Sequence, residues 1–277
     1  MTTELIKLSH IKHVALDMDG TIYKGSTLFP YTMSFLESLR GLGIGYSFLT
    51  NNSSKSVKDY VKSLSRLGVP ASESEVMTSG LATMEILRTE LPDLQRLFVL
   101  GTESLQTEFR ENGFEVVPPG TEPDAVIVAF DTSLCFENLC AAAYWISNGK
   151  PYIATHPDKI CPTDQPTVLV DCGALVSCLE SATGRLPDLI VGKPDPRMLR
   201  AVMSRYDVKA SQVAMVGDRL YTDVLMASNA GAFGVLVLSG EATQADADVF
   251  SPAPDLIVPS IKELGELLAQ SRQGAKV

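Results

Sequence analysis

Positive charge is scarce in this chain. Its 277 residues carry 23 Lys and Arg against 33 Asp and Glu, a net charge of −10. A nucleic-acid backbone is bound by many cations that displace counterions, so no nucleic-acid polymer is expected as a partner. A small anion is still allowed, because it feels local charge and not the total. Long apolar runs are missing too. None approaches the ~20 residues that cross a bilayer, so no membrane partner is expected. Residues 1–12 include Glu4, Lys7 and Lys12 and lack the apolar stretch of a signal peptide, which makes a cytoplasmic location the expectation. Cysteine is sparse and unpatterned. The five cysteines all fall between Cys135 and Cys178, their number is odd, and none forms a C-x-x-C pair. That excludes a zinc-finger spacing and reads as reduced thiols packed as small apolar groups. A His156–Cys161 metal pair has no recognisable motif behind it. Repeats and low-complexity segments are absent.

What is present is ordinary for a folded chain: 45% hydrophobic and 20% charged residues. Strand-like and helix-like segments alternate, which predicts an α/β fold with a doubly wound parallel sheet. Strands are expected at 13–18, 45–50, 97–100, 125–129, 152–155, 189–191, 213–216 and 233–238. Helices are expected at 30–42, 56–67, 103–112, 136–148, 173–183, from Asp195-Pro196 onward, and from Ser260. In the 56–67 segment Val57, Tyr60, Val61, Leu64 and Leu67 recur at helical spacing. Asp195 and Pro196 suit the cap and first position of a helix, and Ser260 with Glu263 forms a capping box. More than a hundred residues separate the 56–67 helix from the strand before Lys193. One crossover cannot be that long. The expected organisation is a core of residues 1–79 and 187–277 with an α/β domain, 80–186, inserted into it.

Four segments that follow expected strands carry the polar chemistry, where an open parallel sheet presents its ligand-binding edge. The first is Asp17-Met18-Asp19-Gly20-Thr21. Two carboxylates two residues apart on a strand end point the same way and can divide nucleophilic and proton-transfer work. The second is Thr50-Asn51-Asn52-Ser53-Ser54, a hydroxyl and amides leading to a helix N-terminus, where an anion can sit. The third is Lys193, a cation able to neutralise a transferring phosphoryl group. The fourth is Gly217-Asp218-Arg219-Leu220-Tyr221-Thr222-Asp223, whose carboxylates are the hard oxygen ligands that suit Mg²⁺. Each alone also reads as ordinary structure: a turn, a helix cap, a solvated lysine, another cap.

Together the four segments resemble the haloacid dehalogenase superfamily of phosphohydrolases. The matching stretches are Asp17-Met18-Asp19-Gly20-Thr21, Thr50-Asn51-Asn52-Ser53, Lys193-Pro194, and Gly217-Asp218-Arg219-Leu220 with Asp223. Within the superfamily the chain resembles the NagD-type phosphatases, whose α/β cap is inserted after the second motif. The resemblance implies Mg²⁺-dependent hydrolysis of a small-molecule phosphate monoester. Asp17 is the implied nucleophile, forming an aspartyl-phosphate, with Asp19 as general acid and then base. Thr50, backbone amides and Lys193 are the implied phosphate contacts, with Asn51 and Asn52 beside them. Mg²⁺ is expected between Asp17, the backbone carbonyl of Asp19 and Asp218, with Asp223 in support. Asp19 separates reaction classes: dehalogenases lack this second acid and P-type pumps carry Thr there.

The inserted cap is expected to set specificity. Thr155-His156-Pro157-Asp158 resembles a cap loop that usually reads Thr-Asn-Pro-Asp, with His156 as the departure. His156 and Asp158 are candidate substrate contacts, as is the turn Asp171-Cys172-Gly173. As a plain loop residue, His156 is expected to be exposed. The cap surface also offers a place for a homodimer to form. Two rival readings share parts of the pattern. A signalling receiver module uses an acidic pair, a Thr and a Lys, but has no late Asp218–Asp223 motif and no insertion. A non-catalytic phosphate-binding protein would not need both Asp17 and Asp19. Gly41-Leu42-Gly43-Ile44-Gly45 follows a helix, so it reads as a helix stop and not a dinucleotide loop.

Overall fold

The computed structural model describes residues 3–161 and 167–273. The chain divides into two compact units: Met1–Leu49 with Ser63–Met77 and Lys193–Val277, and Thr50–Lys62 with Thr78–Gly192. The chain is α/β, and each unit holds its own sheet.

The first sheet has six strands in the order Leu256–Val258, Phe233–Val237, Val213–Gly217, His13–Asp17, Gly45–Thr50, Val76–Thr78. The Asp17 strand runs parallel to both neighbours, pairing Leu16 with Val216 on one side and Asp17 with Leu49 on the other. Strand order reverses at this place. Later chain segments add outward on one side and earlier ones on the other, so the carboxyl ends of His13–Asp17 and Val213–Gly217 flank a topological switch point, where such sheets bind ligands. The strands are apolar without alternation: Val14, Ala15, Leu16, Val213 to Val216, Val235 and Leu236 are all fully buried. That is the pattern of a sheet covered on both faces. Helices Thr3–Ser9, Thr32–Gly41 and Ile261–Gln273 pack in one group, and Pro196–Arg205 with Leu225–Ala230 in another. The Asp195 side chain accepts from Arg197 N as N-cap, and the Ser260 hydroxyl meets Glu263 Oε2 at 2.7 Å.

The second unit carries a five-stranded sheet in the order Leu189–Ile190, Tyr152–Ala154, Ala125–Val128, Arg96–Leu100, Glu115–Val116, parallel at every pairing. Phe98, Leu100, Val126, Val128, Tyr152 and Ala154 build one core with Ile146 of helix Phe136–Ser147 and Leu179 of helix Cys172–Thr183.

Two differences from the sequence expectation bear on the site. The strand before Lys193 does not belong to the first sheet. Leu189–Ile190 pairs with Ile153 and Ala154 in the second one, so Lys193 does not extend a strand of the sheet that carries Asp17. The Asp17 strand also stops at Asp17, and Asp19 lies beyond it in a turn where Gly20, Thr21, Ile22 and Tyr23 are hydrogen-bonded across 18–23. Strand alternation therefore does not place Asp17 and Asp19 side by side. Among the described residues no helix is long and apolar enough to cross a membrane.

Candidate active site

Asp17 is the last residue of its strand, and Asp218 directly follows the neighbouring strand Val213–Gly217, so register alone puts both acids at the switch point. Asp223 arrives by a different route. After Asp218 the chain turns into a π-helical turn, Leu220–Val224, whose Asp223 N bonds back to Arg219 O at 3.1 Å. Asp223 Oδ2 in turn accepts from Arg219 N at 3.1 Å. Oxygens of Asp17, Asp218 and Asp223 all lie within 4.8 Å of one another.

Lys193 is the cation set against them. Its ammonium is ion-paired with Asp17 and lies 2.7 Å from Asp223 Oδ1, and its side chain is only 4% exposed. Burial alone would lower the Lys193 pKa, but Asp17 and Asp223 outweigh it and hold the lysine charged. The acids feel the converse. Burial pushes Asp17 upward despite Lys193, with Asp223 and Asp218 adding to the rise. Burial and the Asp223 charge also push Asp218 upward. Three carboxylates and one lysine leave a deficit of positive charge, and hard oxygen donors at this spacing are what Mg²⁺ or Ca²⁺ takes.

The residues fit such an ion at a specific atom. Asp218 Oδ2 accepts from Glu241 N at 2.8 Å, while Asp218 Oδ1 is buried with no hydrogen-bond partner among the described residues. A buried carboxylate oxygen without a donor is costly unless something positive completes it. Asp19 differs from the three. It is exposed, and its Oδ2 accepts from Gly25 N at 3.3 Å.

The second motif falls in the second unit from Thr50 onward. Thr50 ends the strand Gly45–Thr50, and its hydroxyl accepts from Asn52 N at 3.1 Å. Asn51 and Asn52 point their amides into the same unit. Asn51 Nδ2 donates to Asp158 Oδ2 at 3.0 Å, and Asn52 Nδ2 lies 3.8 Å from Cys161 Sγ. Ser53 Oγ meets Thr155 Oγ1 at 2.9 Å. The segment 50–53 and the loop 155–158, read separately from the sequence, thus form one cluster.

His156 lies at its centre and is fully buried, not exposed as the loop composition suggested. Its Nε2 faces Asp171 Oδ1 at 3.3 Å and its Nδ1 faces Asp158 Oδ2 at 3.6 Å. Asp171 also caps the helix Cys172–Thr183, accepting from Cys172 N at 2.6 Å. The three candidate positions His156, Asp158 and Asp171 are therefore linked to one another.

One group of residues was missed in the sequence. Loop 239–242 touches Asp218 through Glu241 N and through Ala242 N, which bonds Asp218 O at 3.1 Å. Glu241 also pairs with Arg219 Nε at 2.9 Å and accepts from the Tyr221 hydroxyl at 2.8 Å. The available signal was Ser239-Gly240 just past the strand Phe233–Val237, which reads as a plain turn.

A family model for haloacid dehalogenase-like hydrolases matches residues 14–115, and a second, HAD hydrolase-like model matches residues 190–264. The ribonucleotide monophosphatase NagD of Escherichia coli K12 is 33% identical over 254 residues, covering 92% of this chain and 98% of that protein. The crystal structure of a 4-nitrophenylphosphatase from Thermotoga maritima superposes with a TM-score of 0.88 at 39% identity, covering 94% and 98% of the two chains. A glycerol phosphate phosphatase from Mycobacterium tuberculosis, solved in complex with magnesium, superposes with a TM-score of 0.87 at 29% identity, covering 94% of this chain and 78% of that one. The same enzyme has also been solved with calcium.

Proposed function

The chain belongs to the haloacid dehalogenase-like hydrolases and is a phosphatase of that family, and from that premise we propose that it hydrolyses a small phosphate monoester through an aspartyl-phosphate on Asp17. The observation that carries the reading is the convergence of Asp17, Asp218, Asp223 and Lys193 at the switch point of the first sheet.

In this reading one Asp17 oxygen attacks phosphorus as the bond to the ester oxygen breaks. Asp19 gives its proton to the leaving alcohol. Water then attacks the aspartyl-phosphate, passes a proton to Asp19, and frees Asp17 and inorganic phosphate. The exposure of Asp19 supports this role, since it must exchange protons with substrate and water in turn. Lys193 opposes the rise that burial gives the Asp17 pKa and offsets charge on the transferring group. Thr50, one residue beyond the Leu49 that pairs with Asp17, is the proposed hydroxyl contact to phosphate. A divalent cation, Mg²⁺ in this proposal, would be held by Asp17, the Asp19 carbonyl and Asp218, with Asp223 behind. Bound there, it supplies the positive charge that lets an anionic nucleophile approach an anionic ester.

Substrate choice is assigned to the second unit as the cap domain, with the loop 155–158 as its specificity element. The relatives act on ribonucleotides, 4-nitrophenyl phosphate and glycerol phosphate by their names, so the class is small monoesters and not one compound. Phosphate release should be measured over such a panel with and without Mg²⁺, with Asp17→Asn as control. Release that needs Mg²⁺ and vanishes in the variant supports the proposal. Stoichiometric phosphate binding without release overturns it in favour of a binding protein.

A further inference from the structure

We propose that loop 239–242 is the device that aims Asp218 at the divalent cation. The inference rests on the metal reading above and deepens it with residues outside the four motifs. Asp218 has one carboxylate oxygen held and one left open: Oδ2 takes the backbone N–H of Glu241, and Oδ1 is buried with no partner among the described residues. The two oxygens are equivalent by a half turn, so what has to be held is the plane of the group, with one oxygen on that donor and the other facing away from it.

Steric walls hold that plane on two sides. Gly20 stands at φ +86° on one chain segment and Gly240 on another, and a Cβ built at either would overlap the Asp218 carboxyl group. Both positions require glycine, Gly20 for its left-handed backbone and both for this close approach. The two walls are tied to each other, because Ser239 Oγ donates to Gly20 O at 2.7 Å. The loop is anchored again through Ala242 N, which donates to Asp218 O at 3.1 Å. On its outer side Glu241 is held by Arg219 and Tyr221. An ordinary turn after a strand needs none of these links to Asp218. Their common effect is to fix one carboxylate in one rotamer.

Such fixing matters most for a small ion. Mg²⁺ demands near-ideal octahedral geometry, while Ca²⁺ accepts irregular shells. Partners that orient a ligand typically carry about 10- to 100-fold in metal affinity. The loop should therefore control Mg²⁺ affinity and Mg²⁺ preference without touching substrate.

The test is direct titration calorimetry of Mg²⁺ and Ca²⁺ into the full chain, for wild type, Ser239→Ala, Ser239→Thr and Gly240→Ala. Ser239→Ala should bind Mg²⁺ about tenfold more weakly, with a clearly smaller loss for Ca²⁺. Ser239→Thr, which keeps the hydroxyl, should restore wild-type binding. Gly240→Ala should lose more than Ser239→Ala; should it fail to fold, Ser239→Ala decides alone. In turnover the Mg²⁺ activation constant should rise while kcat at saturating Mg²⁺ stays near wild type. Folded variants with wild-type Mg²⁺ affinity overturn this proposal alone. Equal losses for both ions, accompanied by a lower melting temperature without metal, mark a merely structural loop and also overturn it. A wild type that binds neither ion overturns the metal reading together with this proposal.

Discussion

Two clusters of carboxylates sit in the two units, and they are satisfied in opposite ways. In the first unit Asp17, Asp218 and Asp223 share one lysine, and Asp218 Oδ1 has no donor among the described residues. In the second, Asp158 receives the Asn51 amide, Asp171 receives a backbone N–H as a helix cap, and both face the ring of His156. The first arrangement is short of positive charge and gains from a bound cation. In the second each acid keeps a donor of its own and the cluster holds two loops together, with the His156 nitrogens near the acids but without a hydrogen-bond partner among the described residues. Acidity alone therefore does not mark a reactive site; the unbalanced cluster does. Four changes would break or sharpen that contrast.

The largest effect is expected from Asp17→Asn. The side chain keeps its shape but loses the negative charge to which the proposed mechanism assigns the attack on phosphorus. Turnover should fall by at least about 10³-fold, as losses of nucleophiles do. Because one of three crowded charges is gone, the apo protein should melt no lower than the parent. Steady-state phosphate release and a thermal melt check both halves. Activity near the parent level would remove Asp17 from the nucleophilic role.

Next comes Lys193→Met. Lys193 is nearly buried and balances two acids, so its removal leaves charge uncompensated in a dry place. Breaking a buried pair this way costs about 3–5 kcal/mol. Chemical denaturation without metal should show a loss of that order. Mg²⁺ should stabilise the variant more than it stabilises the parent, since the ion brings in part the charge that was removed. A variant as stable as the parent without metal would mean the cluster is balanced already.

His13 provides an inner control for what a buried histidine does without carboxylates. Its Nε2 meets Ser47 Oγ at 2.8 Å and its ring lies 4.3 Å from that of Tyr206, while burial lowers its pKa to about 4. Above pH 6.5 it is neutral whether folded or unfolded. Between pH 6.5 and about 4 the unfolded chain takes up a proton that the folded chain refuses, so stability falls as pH falls. The contribution is at most about 3 kcal/mol and is lost in full below pH 4. Unfolding at pH 7 and pH 4.5, for the parent and His13→Gln, isolates it from carboxylate titration. The variant should lose less stability on acidification; equal slopes would remove His13 as the cause.

These contrasts were legible in the sequence to different depths. Asp17 and Asp218 could be placed because each follows a run of buried apolar residues, and such runs announce strands of a covered sheet. The helix starts at Asp195-Pro196 and Ser260 could be placed because capping is local chemistry. Lys193 was found, but its route was misread. Leu189-Ile190-Val191 is apolar and short, and nothing in three residues states which sheet they join. The strands Val76–Thr78 and Leu256–Val258 escaped for the same reason: each is three residues long, and pairing rather than periodicity defines it. The burial of His156 was hidden because Asp171, which its ring faces, and Asn51, which bonds the neighbouring Asp158, are remote in the chain. The loop at Ser239-Gly240 looked like any turn, since its purpose lies in two backbone donors and a missing Cβ.

The smallest expected effect is also the one that decides how the second cluster is used. In His156→Asn, the buried ring is replaced by a shorter amide, which cannot face Asp158 and Asp171 at once across the 3.6 and 3.3 Å gaps now spanned by its two nitrogens. Losing the buried ring's packing and one of its two charge contacts should cost about 0.5–3 kcal/mol. If the cluster only joins the segment 50–53 to the loop 155–158, the melting temperature drops and every substrate on a monoester panel slows alike. If the loop also reads the substrate, the order of preferred monoesters changes, and it changes through KM more than kcat, because uniform binding is lost ahead of transition-state contacts. Our assignment of specificity to this loop requires the second outcome. An unchanged order of preference with a lowered melting temperature would leave His156 as a clasp and move substrate choice to another part of the second unit.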